Sequence, residues 1–419
     1  MTGSEITAAI ERAARDSYGR LVAYLAARSR DLAGAEDALA DAFQAALVTW
    51  PETGVPEKPE AWLLVTARRR LIDRARHAKV HAEAVPALQI LTDRDQELAQ
   101  GESPFPDNRL KLLFVCAHPA IDVAARTPLM LQTVLGLDAA RIASAFLVKP
   151  ATMGQRLTRA KIKIRDARIP FEIPEAAEWP GRLDAVLEAI YATYSLGWNA
   201  VTGADTRSKG LATEAIALGR VLLQLLPDEP EVKGLLALMI YCDARRDARL
   251  DAQGGFVPLS EQDTDLWSEA MIHEAHHLLL SAERARKIGH FQLEAAIQSV
   301  HTRRAIVKGG TDWEEIVHLY EGLIRLAPTT GALVGRVAAT AEARGPAAGW
   351  ALLQQIPPDS VVTYQPYWAQ AAHLLAQLGP PGKARAAYER AIGLSEDPAT
   401  RAFLVRKLST LPACPSNEA

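Results

Sequence analysis

Pro150-Ala-Thr-Met-Gly-Gln-Arg-Leu-Thr-Arg-Ala-Lys-Ile-Lys-Ile-Arg165 reads as an amphipathic helix with one basic face. Proline at the first helical position removes only an N–H that has no intrahelical partner, and its fixed φ suits a helix start. Met153, Leu157, Ala160 and Ile164 recur at i, i+4, i+7 and i+11, which predicts one buried stripe. Thr152, Gln155, Arg156, Arg159 and Lys163 repeat that spacing on the other side, so the exposed face carries cations and amide donors. Upstream, Arg141-Ile-Ala-Ser-Ala-Phe-Leu-Val148 supplies a short helix and a tight apolar turn. The pair predicts a helix-turn-helix, the geometry that lays its second helix in a major groove. Arg156, Arg159 and Gln155 can offer bidentate donors to base edges, while Lys161, Lys163 and Arg165 suit phosphates.

The composition around that helix favours helices throughout. Alanine and leucine dominate, aromatics are 6%, and long alternations of β-branched residues are missing. A chain of 419 residues exceeds one core and divides into domains. No run of about 18 uncharged apolar residues occurs, and the first twenty residues hold charges without an apolar signal core, so a cytoplasmic protein with no membrane span is expected. Cys116, Cys242 and Cys414 are widely separated, without metal-ligand spacing. The formal net charge of −3 hides a partition: residues 1–104 hold 13 Lys+Arg against 16 Asp+Glu, 105–170 hold 11 against 4, and 171–419 hold 23 against 30. The compact basic middle is the footprint of a nucleic-acid binder, and the acidic remainder argues against DNA contacts beyond it.

Helices are expected over 6–30 and from Ala35 to Trp50, the second with Leu39, Phe43, Ala46 and Trp50 inward and Asp37, Asp41 and Gln44 solvated. Pro51 to Pro59 is expected to be a loop, followed by a basic helix from Ala61 to about Lys79 with Leu64, Ala67, Leu71 and Ala75 facing inward. Trp62 at its start either packs in the core or stacks on an unpaired base. The divisions are 1–80, a connector at 81–106, the helix-turn-helix module at 107–170, and a helical domain at 171–419. That last domain carries a weak repeat. Tyr320-Glu-Gly-Leu-Ile-Arg-Leu326 and Tyr388-Glu-Arg-Ala-Ile-Gly-Leu394 agree at four positions with a 68-residue offset, twice the 34 of a tetratricopeptide helix pair.

His273-Glu-Ala-His-His277 satisfies HExxH, which on a helix aims His273 and His277 at one zinc ion and leaves Glu274 as general base, with Glu294 as a third ligand. Its flanks read instead as an ordinary amphipathic helix. Short patterns of this kind arise by chance, so no metal, cofactor or catalytic residue is expected, and the chain is not read as an enzyme.

Residues 1–170 resemble an extracytoplasmic-function (ECF) sigma factor of bacterial RNA polymerase. Ala35-Glu-Asp-Ala-Leu-Ala-Asp-Ala-Phe43 is similar to the family's region-two helix, Ala61-Trp-Leu-Leu-Val-Thr-Ala-Arg-Arg-Arg-Leu-Ile-Asp-Arg74 to the helix that reads the minus-ten element, and the helix-turn-helix to region four. Asp107-Asn-Arg-Leu-Lys-Leu-Leu-Phe-Val-Cys-Ala-His-Pro119 and Ala145-Phe-Leu-Val-Lys-Pro-Ala-Thr-Met153 look like a subgroup with a long tetratricopeptide-like C-terminal extension. The resemblance implies an all-α protein: a region-two bundle, a region-four helix-turn-helix and a helical-repeat domain. It implies core RNA polymerase as a partner (β′ clamp coiled coil, β flap), with polymerase contacts from Glu36, Asp37, Asp41 and Phe43. Minus-ten contacts are implied for the 54–60 loop, Trp62, Arg69, Arg70 and Arg74, and minus-thirty-five contacts for Thr152, Gln155, Arg156 and Arg159, beside the phosphate-directed Lys161 and Lys163. The acidic C-terminal domain is expected to regulate in cis or to receive a protein partner. A stand-alone helix-turn-helix regulator is the alternative, and a zinc metallopeptidase the remote one.

Overall fold

Asp31 sets the first corner of the chain. Its side chain accepts a hydrogen bond from the Gly34 backbone N–H at 3.1 Å, capping a helix whose first N–H groups have no intrahelical partner. The computed structural model describes residues 3–79, 108–146, 148–175, 178–199, 210–305, 310–379 and 381–412, so the expected connector at 81–106 lies outside the described residues. The protein is all-α. Residues Met1–Thr193 and Tyr194–Ala419 form two compact units.

The first unit begins with α1 (Gly3–Ser29), α2 (Leu32–Thr53) and α3 (Pro59–Lys79). Leu32, Ala35, Leu39, Ala42, Ala46 and Trp50 of α2 are buried, as the helical period predicts. The loop expected over 51–59 is shorter than the prolines suggested. α2 runs through Pro51 to Thr53, because a proline in the last turn forfeits a single bond while the Gly54 N–H still reaches the Trp50 carbonyl at 3.0 Å. α4 (Arg109–Cys116), α5 (Val123–Leu135), α6 (Ala139–Ala145) and α7 (Pro150–Asp166) follow, and α7 buries Met153, Leu157, Ala160 and Ile164. Thus the four stripe positions read from the sequence are the four that pack.

These two sets of helices share one core, since α1 packs against α2, α3, α4 and α5, and α2 touches α7. The closest approach is at Gly19, where an added Cβ would lie 1.8 Å from the Val134 carbonyl oxygen. Beside it Gly136, with φ of 67°, ends α5 under the Tyr18 ring. The expected segments 1–80 and 107–170 therefore lie in one compact unit. The boundary between units falls within α8 (Pro180–Asn199), later than residue 171.

The second unit continues with α9 (Leu211–Leu225), α10 (Pro230–Asp243), α11 (Glu269–Glu283) and α12 (His290–Thr302). Between α10 and α11 the indole of Trp267 lies under two guanidinium groups, Arg245 at 5.8 Å and Arg304 at 5.2 Å. Arg245 is itself buried and donates to Gln298 and the Tyr241 carbonyl, while Arg304 donates to the carbonyls of Ser260 and Gln262. Six helices follow: α13 (Trp313–Leu326), α14 (Thr330–Arg344), α15 (Pro346–Leu353), α16 (Gln365–Leu378), α17 (Pro381–Leu394) and α18 (Pro398–Ser409). Their starts step regularly. The odd-numbered helices begin at 313, 346 and 381 and the even-numbered at 330, 365 and 398, so that the third pair repeats the first after 68 residues.

Candidate nucleic-acid interface

With one stripe of α7 sealed in the core, its other faces turn outward. Thr152, Gln155, Arg159 and Lys163 are exposed and Arg156 is half-buried. The Arg159 Nε donates to the Gln155 carbonyl at 3.3 Å, which pins the start of that side chain and leaves the guanidinium ends forward. Arg156, Arg159 and Lys163 also line a cleft of about 360 Å³ whose far wall is Ala120, Ile121, Asp122 and Ala125. That wall is the start of α5. Asp122 caps it by accepting from the Ala124 N–H at 2.8 Å, and Arg126 fastens the preceding loop through the carbonyls of Ile121 and Pro119 at 3.1 and 3.3 Å. Three cations facing a helix N-terminus make an electropositive groove suited to a phosphate backbone. Val123, the first residue of α5, is 74% exposed, an apolar side chain that the sequence pattern did not single out.

Lys161 behaves differently from its neighbours. It follows Leu157 by four residues, which turns it toward the packed side, and its Nζ lies 2.5 Å from Glu36 Oε2. Both side chains are largely covered, at 16% and 12% exposure. Burial holds the Glu36 carboxyl above its usual range, only partly offset by Lys161. In this form Lys161 is an internal ion-pair partner and not an outward phosphate contact, and Glu36 is likewise occupied. Burial by the shared core, invisible in the local pattern, is the reason.

On the other basic helix, α3, Arg69 and Arg70 are exposed. Arg74 lies 3.3 Å from Asp37 and 2.8 Å from Asp41, so the α3 cation and two α2 acids meet at the surface. Trp62 is half-buried and sets its ring edge-on to Trp50, with centroids 5.5 Å apart at 69°. It therefore packs as the core alternative expects, while part of its surface stays open to solvent. Phe43 is half-buried on α2. Further along α2, Leu47 and Val48 are exposed apolar residues that the sequence reading passed over.

The HExxH segment lies on an ordinary packed helix. Arg220 of α9 grips Glu274 at both carboxylate oxygens, at 3.0 and 3.1 Å, and His273 and His277 are exposed on α11. Among the described residues no group of three or more His, Cys, Asp or Glu is arranged to hold a metal ion.

Residues 14–80, which span most of α1 together with α2 and α3, match the family model for sigma-70 region 2. The chain carries a sigma-70 region 2 domain near its N-terminus. A domain of this kind points to a sigma-factor role in transcription initiation, with core RNA polymerase and promoter DNA as the partners it implies. Residues 182–283 match a family of unknown function, DUF6596, which covers α8 to α11. An uncharacterized protein of Rhizobium meliloti (strain 1021) is 39% identical over 418 residues, covering 99% of this chain and 97% of the relative. The architecture is therefore shared from end to end. No solved structure matches the chain. Among the described residues no helix is long and apolar enough to cross a membrane.

Proposed function

We propose that this chain is a sigma-70 family promoter-specificity subunit of the extracytoplasmic-function type, in which α7 reads the minus-thirty-five element and α3 with Trp62 engages the minus-ten element. One observation carries the reading: α7 exposes Thr152, Gln155, Arg159 and Lys163, with Arg156 at the cleft, in the same compact unit as the region-two match. Exposed α7 donors set position on duplex DNA. Arg69, Arg70 and Arg74 hold backbone phosphates while Trp62 receives an exposed base. Asp37, Asp41 and Phe43 of α2, with Glu36 once it is released, dock on the polymerase clamp, and region four meets the flap. The chain performs no bond chemistry of its own in this reading.

The C-terminal unit is proposed to be tetratricopeptide-like and to receive a protein regulator. Its helix pairs recur at the spacing of such repeats, and stacked pairs of this kind build concave partner-binding surfaces.

Reconstitution of the full chain with core polymerase, followed by genome-wide start-site mapping in vitro, tests the assignment. Promoter-specific initiation is expected, and Arg156→Ala with Arg159→Ala should lower it at promoters that need a minus-thirty-five element. Sequence-specific duplex binding without any initiation would instead identify a stand-alone regulator.

A further inference from the structure

We infer that the exit of α10 in the second unit is a binding site for the carboxylate of a small organic acid, held by Arg249, Arg245 and Tyr194. The site lies within the second unit and is independent of the promoter reading. Two aromatic stacks build it. The rings of Tyr194 and Trp198 lie 5.7 Å apart at 23°, and the Arg249 guanidinium carbon sits 4.0 Å from the Trp198 ring centre. Arg245, four residues before Arg249, shares the Trp267 indole with Arg304. Two indoles thus gather three guanidinium groups, and every acceptor these meet among the described residues is neutral: main-chain carbonyls, the Gln298 amide and the Cys242 sulfur.

The acids whose charge reaches this cluster form no ion pair with these three arginines. Asp397 caps α18 by accepting from the Thr400 N–H and hydroxyl at 2.7 and 2.6 Å, Asp243 binds Arg246, and Glu294 of α12 acts on the Cys242 thiol. What the cluster has to spare is donors. Arg249 gives Nη1 to the Trp198 carbonyl at 2.6 Å, which leaves Nε and Nη2, the two N–H groups of one guanidinium edge, as an open fork. Arg245 gives Nε to the Tyr241 carbonyl and Nη2 to Gln298, which leaves Nη1. Tyr194 is 2% exposed, and its buried hydroxyl has no hydrogen-bond partner. Burial above all pushes that hydroxyl up, so it stays protonated, and it lies close enough to Arg245 and Arg249 for their charges to interact. A buried hydroxyl without an acceptor is uncommon in folded proteins and marks a place for one.

A guanidinium fork, one further N–H group and an O–H group are the complement of a carboxylate, which brings two coplanar oxygens, only acceptors and one negative charge. The fork is in place before a ligand arrives. The Arg249 carbonyl accepts from the Val257 N–H at 2.9 Å, the antiparallel bridge between Leu250 and Phe256 closes the hairpin beyond it, and Phe256 packs edge-on to Phe403 of α18 with centroids 5.4 Å apart at 75°. Donors fixed in this way lose little freedom on binding. Size follows from burial. Arg245 and Tyr194 are buried and Arg249 is half-buried, so a small molecule reaches the three together where a protein surface or a nucleic acid does not. The site gives the second unit a chemical ligand distinct from the protein regulator proposed above.

The test titrates the full chain with acetate, succinate and citrate by isothermal calorimetry, at constant ionic strength set with chloride, and with inorganic phosphate in parallel. Saturable binding at one site per chain is expected for at least one of the three acids. Arg249→Lys keeps the charge but loses the fork, and should weaken that binding by about ten-fold or more. Tyr194→Phe removes only the unpartnered hydroxyl. It should weaken binding several-fold while the urea midpoint of the second unit stays level or rises, a split that a merely structural tyrosine would not give, and it decides the matter if Arg249→Lys fails to fold. Arg220→Lys, outside the cluster, should bind as the parent does. No saturable binding of any of the three acids, or equal binding by the parent and Tyr194→Phe, would overturn the site. Saturation by phosphate alone would overturn the carboxylate class.

Discussion

His301 shows how one side chain records its surroundings. Burial, then the nearby Arg245 and Arg304 guanidinium groups, push its imidazole down to about 4, so the folded chain carries it neutral. In the unfolded chain it titrates near 6.5. As pH falls through that value the unfolded state takes up a proton that the folded state refuses, so stability present at neutral pH is lost between about 6.5 and 4. The loss is on the order of 3 kcal/mol. Urea unfolding of the second unit at pH 7 and pH 4.5 should show it, and His301→Gln should remove most of the difference. Equal pH dependence in both proteins would refute this account of the site. Trp50 is a second informative residue, fully buried and edge-on to Trp62. Trp50→Ala should cost about 3–5 kcal/mol in thermal or chemical unfolding, and it would also leave Trp62 without support beside the surface where a base is proposed to stack.

The helices differ in how openly the sequence declares them. α7 was legible because an apolar residue at every third or fourth position constrains both its period and its inward face, and Met153, Leu157, Ala160 and Ile164 are indeed the buried set. The end of α2 was not, since Pro51 looks like a stop until its place in the final turn is known. Leu63 escaped notice for a related reason: it is fully buried next to Leu64, so the inward face of α3 is wider than one residue per turn. The partnership of Lys161 with Glu36 was beyond any local pattern, because it depends on α7 meeting α2 across the shared core. Substitutions along α7 should therefore separate by face. Lys161→Ala strands a covered carboxylate and should destabilise the first unit by about 3 kcal/mol, whereas Lys163→Ala, on the exposed face, should change stability by less than about 0.5 kcal/mol. Lys163→Ala should instead flatten the salt dependence of DNA binding by about one phosphate contact. Denaturation and salt-titrated binding on the same two variants check both halves.

At the scale of the whole molecule, charge and regular stepping divide the work. The positive excess is confined to 105–170, while the segments on either side are acidic, so a polyanion is directed toward that one segment. Salt should then act unequally. Raising ionic strength is expected to weaken duplex binding steeply while changing the unfolding midpoint of the first unit little, because exposed phosphate contacts are screened and the covered Glu36–Lys161 pair is not. Parallel titrations of binding and unfolding would show it, and a matched decline in both would mean that the pair is solvent-exposed. Cys116 offers a way to watch local opening of the first unit in time. It ends α4, fully buried, with its thiol pushed up to about 12 by burial and facing Thr133 of α5, close enough to Glu36 and Lys161 to feel their charges. A thiol so placed is silent while the helices stay shut and reactive once they part, so its labelling rate is a stopwatch for the opening of the first unit, supplied by the native chain itself.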